Sequence, residues 1–153
     1  SKWVRISDGR IVDFTTFMTG EMFSLLSLKS VLRHCVAANG WDEKAFGQAL
    51  AEALKGPENI AGQLFSIRAR SLIAGLSAQA ARARLSGLLI GAELAGARPY
   101  WRKSKLALIG ADKLCALYAK ALATQGVTAS IYDDRHMSLA GLNEARALLK
   151  ETI

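Results

Sequence analysis

Ser1 and Lys2 put a hydroxyl and an ammonium side by side at the start of an extended stretch, and Leu108-Ile109-Gly110-Ala111-Asp112 carries an apolar run into a helix through a glycine. Both places qualify as ligand sites. Ligands of open α/β sheets collect where a strand ends and backbone N–H groups of the next helix point outward, and the glycine lets a flat or anionic ligand approach the main chain. Spacing alone leaves each stretch an ordinary reading as well: Lys2 as an edge charge that blocks strand addition, and Gly110 as a plain tight turn.

Other chemistry-bearing residues find no partners at a readable spacing. Asp13 lies within a strand, Asp42 suits a helix cap, and Asp133-Asp134 fall in a loop, so none is read as a catalytic base. His34 and His136 lack a neighbouring nucleophile or ligand and are assigned to packing or loop positions. Cys35 and Cys115 sit singly in apolar helical stretches, which indicates packed, reduced thiols rather than a metal or redox motif. Of the three tryptophans, Trp3, Trp41 and Trp101, none is assigned to a base-stacking role.

The elements that must position these residues follow from periodicity. Val4 and Ile6 alternate with Arg5, Asp8-Gly9 supplies a turn, and Ile11, Val12, Phe14 and Phe17 resume the extended pattern, giving a β-hairpin. Thr19 is expected to cap a helix carrying Met22, Phe23, Leu25 and Leu26. Asp42 caps the next, with Trp41 and Phe46 placed as a hydrophobic staple and Gly56-Pro57 as its stop. A third pattern runs from Ile60 to Gly75, and Ser77 opens a helix so rich in Ala and Gly that close approach of another backbone is expected. Lys105 to Ile109 then forms a strand, followed by a helix to Gly126, a strand over 127–131 and a final helix capped by Ser138. The fold class is α/β: one domain over residues 1–153, with a mixed sheet of N-terminal hairpin plus parallel strands covered by helices.

Composition supports a real core, since 51% of the 153 residues are hydrophobic. The formal charge of +7 favours phosphate-rich partners without choosing among them. The basic residues are scattered rather than blocked, so a solvated basic surface is preferred to a nucleic-acid stripe. The most apolar run, around Leu85 to Ala97, is short and carries Glu93, which argues against a membrane span. A cytoplasmic protein is expected, and strand-like sequence beginning at once with Trp3 leads us to expect a preceding segment.

At these same residues the chain resembles a known family. Ser1-Lys2-Trp3-Val4, the stretch Gly9 to Phe14, Phe17-Met18-Thr19-Gly20-Glu21, Arg84 to Leu94 and the Leu108-Ile109-Gly110 turn are similar, in collinear order, to 2-dehydro-3-deoxygalactonokinases. The strings Phe14 to Glu21 and Ser86-Gly87-Leu88-Leu89-Ile90-Gly91-Ala92-Glu93 carry most of the specificity. The resemblance implies one lobe of the ribonuclease-H-like fold of actin and hexokinase, in which two lobes close on ATP. In that family a Pro-Gly-Thr-His stretch precedes Ser-Lys-Trp as a phosphate-binding turn, of which Ser1 and Lys2 remain here. The Gly110-Ala111 turn resembles the superfamily's adenosine motif.

The resemblance thus implies transfer of the terminal phosphoryl of ATP, with Mg²⁺, to the 6-hydroxyl of 2-dehydro-3-deoxy-D-galactonate, a 2-keto-3-deoxy sugar acid. This chain would be the C-terminal nucleotide-binding lobe. The first phosphate loop, the sugar-acid pocket and the catalytic carboxylate are expected in a missing N-terminal lobe. The competing reading is a basic helical interaction or nucleic-acid-binding module, for which Arg82 and Arg84 on one Ala-rich helix are the best feature.

Overall fold

The computed structural model describes residues 1–151, which divide into two compact units, one through Arg102 and one from Lys103 onward.

In the first unit, strands β1 (Lys2–Ser7) and β2 (Arg10–Thr16) form an antiparallel hairpin. Asp8 and Gly9 both take positive φ, +50° and +72°, the backbone that a two-residue turn between twisted strands requires. The register slips between Arg5 and Ile6, where Arg5 faces Asp13 but Ile6 faces Ile11, leaving Val12 as the extra residue of a bulge. Helix α1 (Thr19–Leu28) follows, then a 3₁₀ turn at Val31–His34. The next three helices are α2 (Glu43–Lys55), α3 (Ile60–Ile73) and α4 (Ala78–Gly96), and α5 (Arg98–Trp101) adds one turn behind Pro99.

Helix α4 is the axis of this unit. It is buried on nearly every side, as a helix without a polar face must be. Its glycines set the distance to α2: a Cβ on Gly87 would stand 2.5 Å from the Phe46 carbonyl, and one on Gly91 2.7 Å from that of Leu50. The close approach expected from the Ala/Gly content is therefore present. Ala49 and Ala53 of α2, Ile67 of α3, Leu32 and Cys35 complete a core with Ala81, Leu85, Leu88 and Leu89. The Asp42 carboxylate accepts from the Ala45 N–H at 2.9 Å, and the Trp41 and Phe46 rings stand 5.2 Å apart, so cap and staple both form. Ser77 caps α4 through the Ala80 N–H at 3.2 Å.

In the second unit, β3 (Leu106–Ile109) and β4 (Ala129–Tyr132) pair in parallel, joined by α6 (Asp112–Ala123) and followed by α7 (Asp134–Glu151). Cys115, Tyr118, Ala121 and Leu122 form the buried face of α6.

Three expectations need correction. The strands do not make one mixed sheet: among the described residues β1 bonds only to β2 and β3 only to β4, two separate two-stranded sheets. Strand pairing is a long-range choice that alternation within a strand does not encode. The final helix starts at Asp134 rather than behind Ser138, because the Asp133 carboxylate accepts from the His136 N–H at 2.7 Å; Asp133 and His136 are thus parts of a helix start, not of a free loop. Thr19 does not cap α1: its position before the helix is taken by Met18, and its hydroxyl is used elsewhere.

Candidate nucleotide-binding residues

Ser1 and Lys2 are exposed at the open end of the hairpin. Two backbone links hold this end closed, the Ser1 nitrogen donating to the Phe17 carbonyl at 2.8 Å and the Phe17 N–H to the Ser1 carbonyl at 3.0 Å. One residue on, Trp3 turns inward and is buried, so strand alternation sends the Lys2 side chain to the other face, toward solvent. The Trp3 indole donates to Oε1 of Glu93 at 2.8 Å, and the Thr19 hydroxyl donates to Oε2 of the same carboxylate. An exposed hydroxyl and ammonium on a backbone pinned from behind fit an anionic oxygen cluster.

Gly110 ends β3 with φ +154°, a backbone that side-chain-bearing residues rarely adopt, and a Cβ there would stand 3.6 Å from the Cys115 sulfur. Ala111 follows at the N-cap of α6 and supplies no side-chain cap, so the first N–H groups of the helix stay open. Asp112 occupies the first turn. Its negative charge offsets the positive end of the helix, which suits a neutral nucleoside better than a phosphate. The Cys115 thiol just behind is pushed up by burial and then by the Asp112 and Asp134 carboxylates, so it stays protonated and inert at neutral pH. The two stretches belong to different compact units, and each geometry stands on its own surroundings.

Two further acids have structural roles. Asp13 pairs with Arg5 at 2.8 Å, and Asp42 is the cap of α2. An open cleft of about 500 Å³ lies over α2 and α3, lined by Glu52, Glu58, Gln63, Ser66 and Arg70 among others, where the Ser66 hydroxyl donates to the Gln63 carbonyl at 2.6 Å. No group of three or more His, Cys, Asp or Glu gathers among the described residues. Mg²⁺ needs no such cage, since it keeps several waters and rides on substrate phosphates.

The residues behind the nucleic-acid reading are already engaged. Arg84 is only 2% exposed and pairs with Glu52. Arg82 donates to the Ala37 carbonyl at 3.1 Å and lies 5.0 Å from the centroid of the Phe23 ring. Among the described residues no helix is long and apolar enough to cross a membrane.

Comparison with known proteins shows the family. The family model described as 2-keto-3-deoxy-galactonokinase matches residues 1–145, and the chain belongs to that family. Over 151 residues it is 40% identical to Probable 2-dehydro-3-deoxygalactonokinase DgoK1 of Rhizobium meliloti (strain 1021), covering 95% of this chain and 49% of that protein. It is 35% identical to the 2-dehydro-3-deoxygalactonokinase of Escherichia coli (strain K12), covering 82% of this chain and 43% of the relative. A crystal structure of a 2-dehydro-3-deoxygalactonokinase protein from Sinorhizobium meliloti superposes with a TM-score of 0.89 at 39% identity, over 96% of this chain and 50% of that one. The chain spans about half the length of the curated relatives it matches.

Glu93 is the residue whose role the sequence conceals. In the sequence it stands out only as a lone acid in an apolar run, while its partners Trp3 and Thr19 lie 90 and 74 residues away.

Proposed function

We propose that this chain is the C-terminal, nucleotide-binding lobe of an ATP-dependent kinase that phosphorylates 2-dehydro-3-deoxy-D-galactonate at its 6-hydroxyl in the cytoplasm. The observation that carries the reading is membership, over residues 1–145, of a family whose relatives are named for that activity. A ribonuclease-H-like lobe, as in actin and hexokinase, is the architecture we assign to the intact enzyme. The first phosphate loop, the acceptor pocket and the catalytic base belong in this reading to an N-terminal lobe.

Phosphoryl transfer asks the protein mainly for positioning and charge neutralisation. ATP with Mg²⁺ on its phosphates supplies the transferable group. On this chain the Ser1 hydroxyl and the Lys2 ammonium meet phosphate oxygens, the hydroxyl as a hydrogen-bond donor and the ammonium as a point charge. Gly110 and Ala111 offer bare backbone to the adenosine, with no Cβ at Gly110 to hold it away.

The test is a titration of a non-hydrolysable ATP analogue against a full-length kinase carrying this chain, with melting followed on the same samples. Lys2→Ala is expected to weaken binding by about tenfold, the order of one charge-assisted contact. Gly110→Val is expected to weaken it more than it lowers the melting temperature. Normal affinity in both variants, stably folded, would remove the nucleotide assignment. The 153 residues alone are expected to show no turnover, and turnover at the rate of an intact kinase would contradict the division of labour.

A further inference from the structure

We propose that Glu93 is a positioning residue for the phosphate end of the nucleotide, holding Ser1 and Lys2 in place through Trp3 and Thr19. The inference rests on the reading of Ser1 and Lys2 as phosphate ligands.

Glu93 is 2% exposed on the most buried helix of the chain. A carboxylate placed there is strongly disfavoured unless its oxygens are matched by donors. Both are matched: Oε1 takes the Trp3 indole N–H at 2.8 Å and Oε2 the Thr19 hydroxyl. The two donors come from different elements, the second residue of β1 and the first residue of α1. One turn along α4, Gly96 leaves room for the Phe17 ring, because a Cβ there would approach Phe17 Cε1 to 3.2 Å. Glu93 and Gly96, three apart and so on one face of α4, thus seat both chains of the hairpin's open end.

Lys2 lies between two fixed points. Ser1 is bonded through its backbone to Phe17, and Trp3 is anchored on Glu93. With these in place the Lys2 backbone cannot shift without breaking a buried charge-assisted bond, and only its side chain remains free to meet an anion. If stability alone were served, an apolar side chain at 93 facing donor-free side chains at 3 and 19 would pack as well. What the carboxylate adds is direction, since it fixes where the indole N–H points and hence the path of the residues just before it.

The experiment uses a full-length kinase carrying this chain and compares affinity for ATP with affinity for adenosine, alongside thermal melting. Glu93→Met keeps side-chain length and removes both acceptors. Trp3→Phe keeps a ring and removes the donor. Glu93→Gln keeps an acceptor for the indole and can donate its amide to the Thr19 oxygen. In folded protein, Glu93→Met and Trp3→Phe are expected to weaken ATP about tenfold or more, the scale of a small misplacement of a binding group, while adenosine changes by less than about twofold. Glu93→Gln is expected to restore most of the ATP affinity. A merely structural role would lower melting and leave the ratio of ATP to adenosine affinity unchanged in Glu93→Met, and that result overturns the inference. Should Glu93→Met fail to fold, the same ratio measured on Trp3→Phe decides. Lys2→Ala is run beside them. Unaltered ATP affinity there brings down the phosphate reading and this inference together. A loss in Lys2→Ala without one in Trp3→Phe and Glu93→Met brings down this inference alone.

Discussion

Arg84, in the interior of α4, reaches the Glu52 carboxylate on α2 with two contacts, Nη1 to Oε1 at 3.3 Å and Nη2 to Oε2 at 2.5 Å. The guanidinium is almost wholly buried while the carboxylate side chain keeps 37% of its surface in solvent. The two partners are therefore unequal. Glu52→Ala leaves a buried cation uncompensated and is expected to cost about 3 kcal/mol, the lower end of the range for breaking a buried pair. Arg84→Met removes the buried charge and leaves Glu52 to water, so it should cost less. In urea denaturation the double variant should prove more stable than Glu52→Ala, and the reverse order would show that the pair is not what holds α2 and α4 in register.

Two glycines of similar helical setting should respond with opposite sign. Gly87→Ala drives a Cβ to 2.5 Å from a backbone carbonyl, and overpacking of about 1–3 kcal/mol outweighs a helix-propensity gain of about 1. Gly47 on α2 has nothing within 4 Å of an added Cβ, so Gly47→Ala should stabilise by roughly 0.5–1 kcal/mol. Melting of the two variants side by side checks the pair.

At the start of α2, Asp42→Ala removes a 2.9 Å cap and should destabilise by about 1 kcal/mol. Trp41→Ala loses a ring contact with Phe46 at a site 38% exposed, and about 0.5–1.5 kcal/mol is expected. Neither should alter ATP affinity in the full-length kinase. Unchanged melting in both would mean that the helix does not begin there in solution.

Those local features were legible because each signal lies within a few residues of what it controls. The Asp8-Gly9 turn, the Asp42 and Ser77 caps and the halt at Gly56-Pro57 all form where composition placed them. The failures share a different cause. Asp133 and Ser138 are both competent caps, and neighbouring sequence does not rank them. Thr19 looked like a cap because its true acceptor, Glu93, lies far along the chain. Arg84 resembled a surface cation because Glu52 sits 32 residues before it. The separation of the hairpin from the parallel pair depends on strand edges, of which side-chain alternation carries no record. Of the candidate site, Ser1, Lys2 and Gly110 drew notice by type and position and took a nucleotide role, with Ala111, only from the resemblance, whereas the support behind Ser1 and Lys2 left no mark in nearby sequence.

The Cys115 thiol gives a prediction in pH. Burial, then Asp112 and Asp134, raises its pKa in the folded protein, so the unfolded chain releases this proton first. Its contribution to stability is complete below the ordinary thiol range near pH 8.5 and is lost as pH rises through the higher folded value. Denaturation midpoints measured from neutral to alkaline pH should fall more steeply in the native chain than in Cys115→Ala, and parallel curves would contradict the assignment.

The hairpin has a practical consequence for anyone handling these 153 residues. Val4, Ile6, Ile11, Val12 and Phe14 are all at least 46% exposed, on strands whose outer edges have no described neighbour. Such a ribbon is a template on which identical ribbons can stack, restrained mainly by the charges of Lys2 and Arg10, since Arg5 is paired with Asp13. Shelf life of the purified chain should therefore be set by self-seeded fibre growth rather than by melting. Salt, by screening those charges, should shorten it.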